Sequence, residues 1–181
     1  MKTFEVELRA LISKDQYQQL LKYFSKISSA EIDNARTYTF LTSDINIKVK
    51  NMISKGKAKI TVKNGAEYKQ DAKETELEIE PKDIKKAVEL IKAIGKFKRH
   101  IPSYQKRTNF KVNDISISLK HDTHWKYHME AEIMVKTQNK IPQAKEKLEK
   151  FFKDLGLKPM TENENQKLIN SIVTKFGFKK I

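Results

Sequence analysis

The stretch Phe4-Glu5-Val6-Glu7-Leu8-Arg9 limits what this chain can fold into more than any other. Three apolar residues, Phe4, Val6 and Leu8, alternate with three charged ones, Glu5, Glu7 and Arg9. In an extended strand residues two apart share a face, about 6.5–7 Å from each other. Glu5, Glu7 and Arg9 therefore point together toward something wet and ionic. Two carboxylates so placed can hold a hard divalent cation, and the cation can hold an anionic group. The arrangement returns at His128-Met129-Glu130-Ala131-Glu132-Ile133. The expectation is that these two strands face each other across one site.

The first strand spans about 3–12. Further strands are expected at 35–42, 45–50, 57–63, 74–80, 103–112, 115–120 and about 126–136. Most share one property: the face opposite the apolar one is densely ionic. It carries Lys48 and Lys50, then Lys57, Lys59, Thr61 and Lys63, then Glu74, Glu76, Glu78 and Glu80. Later come Gln105 and Arg107, and Ser116, Ser118 and Lys120. Helices are expected from Ser13, an N-cap with Gln16 three residues on, to about Ile27; over 83–94, stopped by Gly95; over 143–155, stopped by Gly156; and over 162–175, capped by Thr161. Eight short strands with few helices favour a sheet that closes or nearly closes, with the helices packed outside on its apolar face. Lysines, arginines and glutamates facing inward cannot form a dry core, because unpaired buried charge is too costly. Such an interior must hold water, metal and a polyanion.

Composition points the same way. With 37 Lys+Arg against 23 Asp+Glu the 181-residue chain carries a net charge of +14, which predicts an anionic partner. It has no cysteine, so disulfides and thiolate zinc sites are excluded. No apolar leader and no run of membrane-spanning length appears, so a soluble cytoplasmic protein is expected. His121, His124 and His128 sit on a loop and strand onset without fixed helical geometry, so they do not read as a zinc site. There is no GxxxxGK phosphate loop and no recognisable serine or cysteine nucleophile. A nucleic-acid-binding module would explain the charge, but the ionic strand faces carry no aromatics for base stacking and their glutamates would repel phosphates.

In order along the chain, these residues resemble the CYTH group, the triphosphate tunnel metalloenzymes. Glu5-Val-Glu7-Leu-Arg9 stands for its ExExK signature, Lys48-Val-Lys50 for the basic pair, and Thr61-Val-Lys63 for T-x-K. Ala93-Ile94-Gly95-Lys96-Phe97 and Gln105-Lys106-Arg107-Thr108-Asn109-Phe110 precede a late Asp122 and Glu130-Ala-Glu132. The resemblance spans about residues 3–175. Departures are Arg9 for Lys, lysines at 48 and 50 where arginines are commoner, Gln105 in place of a base, and a short loop without glycine between Asp122 and Glu130.

The resemblance implies an α+β fold: an eight-stranded antiparallel β-barrel or tunnel with helices outside, as one domain over 1–181. It implies Glu5, Glu7, Glu130 and Glu132 as catalytic metal ligands for Mg²⁺ or Mn²⁺, with Glu76 and Glu78 as further metal candidates or as neutralisers of neighbouring lysines. The substrate phosphates would be bound by Arg9, Lys48, Lys50, Lys63 and Arg107, with Lys59 and Lys120 in the same phase. The expected function is divalent-metal-dependent hydrolysis of a triphosphate-bearing substrate: tripolyphosphate, thiamine triphosphate or a nucleoside triphosphate. The alternatives are a class IV adenylate cyclase and a non-catalytic triphosphate- or RNA-binding protein. The expected partner is a triphosphate-containing small molecule, with nucleic acid only as a 5′-triphosphate end, no membrane, and a monomer or homodimer.

Overall fold

A computed structural model describes residues 4–41, 45–64, 74–94, 97 and 100–177. Its elements are β1 (Phe4–Leu11), α1 (Lys14–Ile27), β2 (Glu31–Ile32), β3 (Ala35–Leu41), β4 (Ile45–Met52), β5 (Lys57–Asn64), β6 (Glu74–Ile79), α2 (Ile84–Ala93), β7 (Ile101–Val112), β8 (Ile115–Asp122), β9 (Lys126–Val135), α3 (Ile141–Asp154) and α4 (Glu162–Lys175). The fold is α+β, with strand order β1-β9-β8-β7-β3-β4-β5-β6 and β2 paired to β7. Two features differ from expectation. Among the described residues the sheet has nine strands, because Glu31–Ile32 pairs with Asn109 and Thr108; two residues are too few to show a period. Among the described residues the order is a path ending in β1 and β6 rather than a ring.

The chain divides into two compact units, one from Met1–Ile32 and Lys106–Asn165, the other from Asp33–Gln105 and Gln166–Ile181. In the first, α1 starts where the sequence places it. The Gln16 amide donates to Ser13 Oγ (3.1 Å), and the Ser13 amide donates to Gln16 Oε1 (2.8 Å), so two orphan donors of the first turn are satisfied reciprocally. Its face of Tyr17, Leu20 and Phe24 packs with Ala144, Leu148 and Phe152 of α3 on Val6, Ala10, Ile117, Leu119, Met129, Ala131 and Ile133 from the strands. Phe24 and Phe152 are fully buried, each side chain contributing about 1.5–3 kcal/mol. The apolar half of the β1 alternation is thus core. Helix α3 begins at Ile141, two residues before the expected start, because Pro142 suits a first helical turn. Gly156, at φ 67°, ends it in the left-handed conformation that glycine adopts without steric cost.

In the second unit β3, β4, β5 and β6 form an antiparallel meander. Helix α2 lays Ala87, Val88 and Ile91 against Phe40, Val49 and Phe97. Gly56, at φ 61°, closes a 3-10 turn between β4 and β5. Pro81 follows β6 and opens another such turn. The expected stop at Gly95 lies outside the described residues. Helix α4, whose first turn belongs to the first unit, opens on a second reciprocal cap: the Glu164 amide donates to Thr161 Oγ1 (3.2 Å) and the Thr161 amide donates to Glu164 Oε2 (2.7 Å).

The polar strand faces are not simple solvent faces. Thr61, Ser118, Lys120, Asp122 and His128 are all buried. Among the described residues no helix is long and apolar enough to cross a membrane.

Candidate metal and anion site

Strand register builds the site of the first unit in rows. Glu7 lies opposite Glu132, which lies opposite Ser116; Arg9 lies opposite Glu130, which lies opposite Ser118; Leu11 lies opposite His128, which lies opposite Lys120. The expectation that the two glutamate strands face each other across one site is corrected here. They are hydrogen-bonded neighbours, and direct cross-strand partners have Cβ atoms only about 4.5–5.5 Å apart. Adjacency crowds the carboxylates more than opposition would. Glu5, Glu7 and Glu132 each offer a ligand oxygen within 4.8 Å of the others'. Three oxygen donors from rigid strands, with no sulfur or nitrogen in the set, fit a hard cation of the Mg²⁺ or Mn²⁺ kind.

Their electrostatics agree with that fit. Burial pushes the Glu7 carboxyl up to about 7, the Glu130 charge adds to this, and Arg9 and Lys120 oppose it. Burial also raises Glu132, with Glu5 as the next cause. Carboxylates that repel one another and resist ionisation are ones a cation would stabilise.

Glu130 is held differently. It forms an ion pair with Lys120 and another with Arg9 at 3.1 Å, while His128 Nε2 lies 3.8 Å away. Burial alone would raise Glu130, but Lys120 and Arg9 outweigh it and hold it at about 2. Burial pulls the Lys120 ammonium down and Glu130 opposes this; the contact is that of an ion pair, and we take both groups as charged. Burial lowers His128 to about 4, so its imidazole is neutral at neutral pH. Arg9 bridges the two glutamates of this network, since its Nε also donates to Glu7.

Arg107 Nε donates to Asn109 Oδ1 (2.6 Å) and to Ser118 Oγ (3.1 Å). It borders a cavity of about 350 Å³ in the same unit, lined among others by Glu31, Asn109, Lys111, Ser118 and Glu132.

The remaining expected residues lie in the second unit. Lys50 stands opposite Lys59, and Lys48 opposite Thr61, on the shared face of β4 and β5. Lys59 forms an ion pair with Glu76, and Thr61 Oγ1 donates to Glu76 at 3.4 Å. Glu76 and Glu78 are exposed. Lys63 is on β5 opposite Glu74, and its side chain lies outside the description.

Two features, Asn46 and Trp125, escape sequence reading, and a third, Asp122, is quoted there only as a late motif residue without a role. Asn46, two residues before Lys48, is 2% exposed, and among the described residues neither carboxamide atom has a hydrogen-bond partner; its place in the alternation is the signal that could have found it. Asp122 accepts the amides of His124 (2.8 Å) and Trp125 (3.2 Å) and so ties the β8–β9 turn, where Lys126, at φ 59°, takes the left-handed position without glycine. Trp125 lies over Arg9, its ring centroid 5.4 Å from Cζ.

No family model matches the chain, and no curated protein matches it in sequence. Solved structures do match. A protein of Pyrococcus horikoshii OT3 superposes with TM-score 0.65 at 21% identity, over 89% of this chain and 93% of the other. A candidate adenylate cyclase from Vibrio parahaemolyticus gives 0.64 at 14%, over 93% and 99%. A Hippeastrum protein, described as a candidate adenylyl cyclase with a dominant triphosphatase activity, gives 0.60 at 14%, over 90% and 93%. These likenesses establish the fold. The chain shares the α+β architecture of these structures, the class of fold that the order of the motifs implied.

Proposed function

We propose that this protein is a single-domain enzyme over 1–181 that hydrolyses a triphosphate-bearing substrate with a divalent metal ion. The observation that carries this reading is the meeting of Glu5, Glu7 and Glu132 within 4.8 Å beside Arg9, on a strand face that burial and like charge make costly to ionise. Glu5, Glu7 and Glu132 would hold Mg²⁺ or Mn²⁺. When bound, the ion supplies neutralisation of the charge that develops on the transferring phosphoryl group. Glu130 completes the predicted ligand set, or orients the set by holding Arg9 and Lys120. Arg9 and Arg107 supply positive charge to the phosphates. The resemblance also assigns phosphate contacts to Lys48, Lys50, Lys59 and Lys63, with Glu76 and Glu78 balancing their charge. Phosphoryl transfer needs positioning and charge neutralisation more than covalent chemistry, which suits a site without a nucleophilic side chain.

A class IV cyclase reading is favoured by the Vibrio and Hippeastrum likenesses. It asks the pocket to seat a base, and Phe110, the only aromatic among the described residues that line the cavity of the first unit, is 4% exposed. Hydrolysis asks less, and we prefer it. The test is a panel of tripolyphosphate, thiamine triphosphate, ATP and GTP with Mg²⁺ or Mn²⁺, scored for phosphate, pyrophosphate and cyclic nucleotide. Orthophosphate release supports hydrolysis; cyclic AMP with pyrophosphate replaces it with the cyclase; tight binding without turnover leaves a binding protein.

A further inference from the structure

We infer that Trp125 is a positioning residue for Arg9, holding its guanidinium against an aromatic wall so that it presents a fixed charge to the substrate phosphates. This rests on the phosphate-binding role proposed for Arg9.

Arg9 lies between two kinds of partner. Glu7 and Glu130 take its Nε, and the Trp125 ring covers its Cζ at 5.4 Å. An indole face attracts a cation, and a guanidinium can lie over it while its N–H groups donate to other partners. A lysine, the residue expected at this position, cannot stack in that way. Arginine at position 9 therefore matches the tryptophan that meets it.

The wall is itself held on three sides. Asp122 ties the Trp125 amide. The His128 ring meets the indole at 5.4 Å. Tyr127, next along the turn from Lys126, stacks on His121 at 4.3 Å and meets Tyr17 of α1 at 5.1 Å, and its carbonyl accepts the Ile12 amide at 3.0 Å. The turn is thus anchored in the core of the unit, and the indole is a rigid surface. Fixing a long side chain before the ligand arrives removes the ordering cost that the ligand would otherwise meet.

The test uses tripolyphosphate binding by the full chain and the emission of Trp125, the only tryptophan of the sequence. Trp125→Ala and Trp125→Leu should weaken tripolyphosphate binding about two- to fivefold, the range of a partly exposed cation–π contact, while Trp125→Phe should restore most of it. In an Arg9→Ala background the Trp125 substitutions should have no further effect, because their route is through Arg9. Arg9→Ala should also shift the Trp125 emission to longer wavelength by uncovering the ring. Equal losses in both backgrounds, no loss in the Trp125 variants, or unchanged emission in Arg9→Ala would overturn the inference while the proposed function stands. Arg9→Ala binding as tightly as wild type would overturn the phosphate role of Arg9 and this inference together.

Discussion

Replacing Glu7 by Gln removes the least comfortable charge of the site, and the size of the effect follows from the structure. Burial and the neighbouring Glu130 raise Glu7 from 4.5 to about 7. Between those two values the folded chain keeps a proton that the unfolded chain has released, so stability falls as pH rises through that window. At pH 8 the ionised carboxylate costs the fold up to roughly 3 kcal/mol, at about 1.4 kcal/mol for each pH unit. That cost is already net of the opposing Arg9 contacts; glutamine escapes it, and its imperfect replacement of the carboxyl's hydrogen bonds takes back about 1 kcal/mol. In the absence of divalent metal, Glu7→Gln should therefore be more stable than wild type at pH 8 by about 1–2 kcal/mol. That is a rise of roughly 2–8 °C in Tm for a chain of this size. The gap should close toward pH 5. Thermal and urea unfolding in a chelator from pH 5 to 8 measures it. Equal stability at pH 8, or a gap that widens on acidification, would refute the reasoning.

Glu5→Gln and Glu132→Gln should each abolish most turnover and weaken Mn²⁺ binding in a metal titration, while metal-free tripolyphosphate binding stays intact or tightens because a negative charge has left. Wild-type rates at low and saturating metal would remove them as ligands. Glu130→Gln should also cost most turnover; as the partner of Lys120 and Arg9 it should in addition lower stability, which the other two should not. Lys120→Met leaves the buried Glu130 with fewer counter-charges and should destabilise by about 3 kcal/mol, read from urea midpoints; a loss under about 1 kcal/mol would contradict the buried pair. Lys50→Ala should weaken tripolyphosphate binding more than orthophosphate binding, because it removes one of several simultaneous contacts, and calorimetry with both ligands checks this.

Much of the fold could be read from the sequence because it is written in local rules. The alternation of β1 and β9, the caps at Ser13 and Thr161 and the stop at Gly156 each need only neighbours within four residues. What escaped depends on partners far along the chain. Nothing local says that Glu7 lies beside Glu132 rather than across from it, since that follows from pairing register. Nor could the sequence tell Glu130 from Glu132: both sit in the same phase, and only the cross-strand neighbourhood gives Glu130 to Lys120 and leaves Glu132 with Glu5 and Glu7. Trp125 has no period at all, being a lone aromatic in a turn.

The alternation of β1 has a consequence for how this chain can change over time. Its odd positions face the ionic cluster and its even positions face the core, so one strand encodes two structures in interleaved form. A point substitution at Glu5, Glu7 or Arg9 alters chemistry and leaves Val6 and Ala10 in place. A single-residue insertion or deletion within Phe4–Leu11 would exchange the two sets, sending glutamates into the apolar layer and valine into the site. Site residues in such a lineage are therefore free to drift by replacement, whereas strand length is under tight constraint.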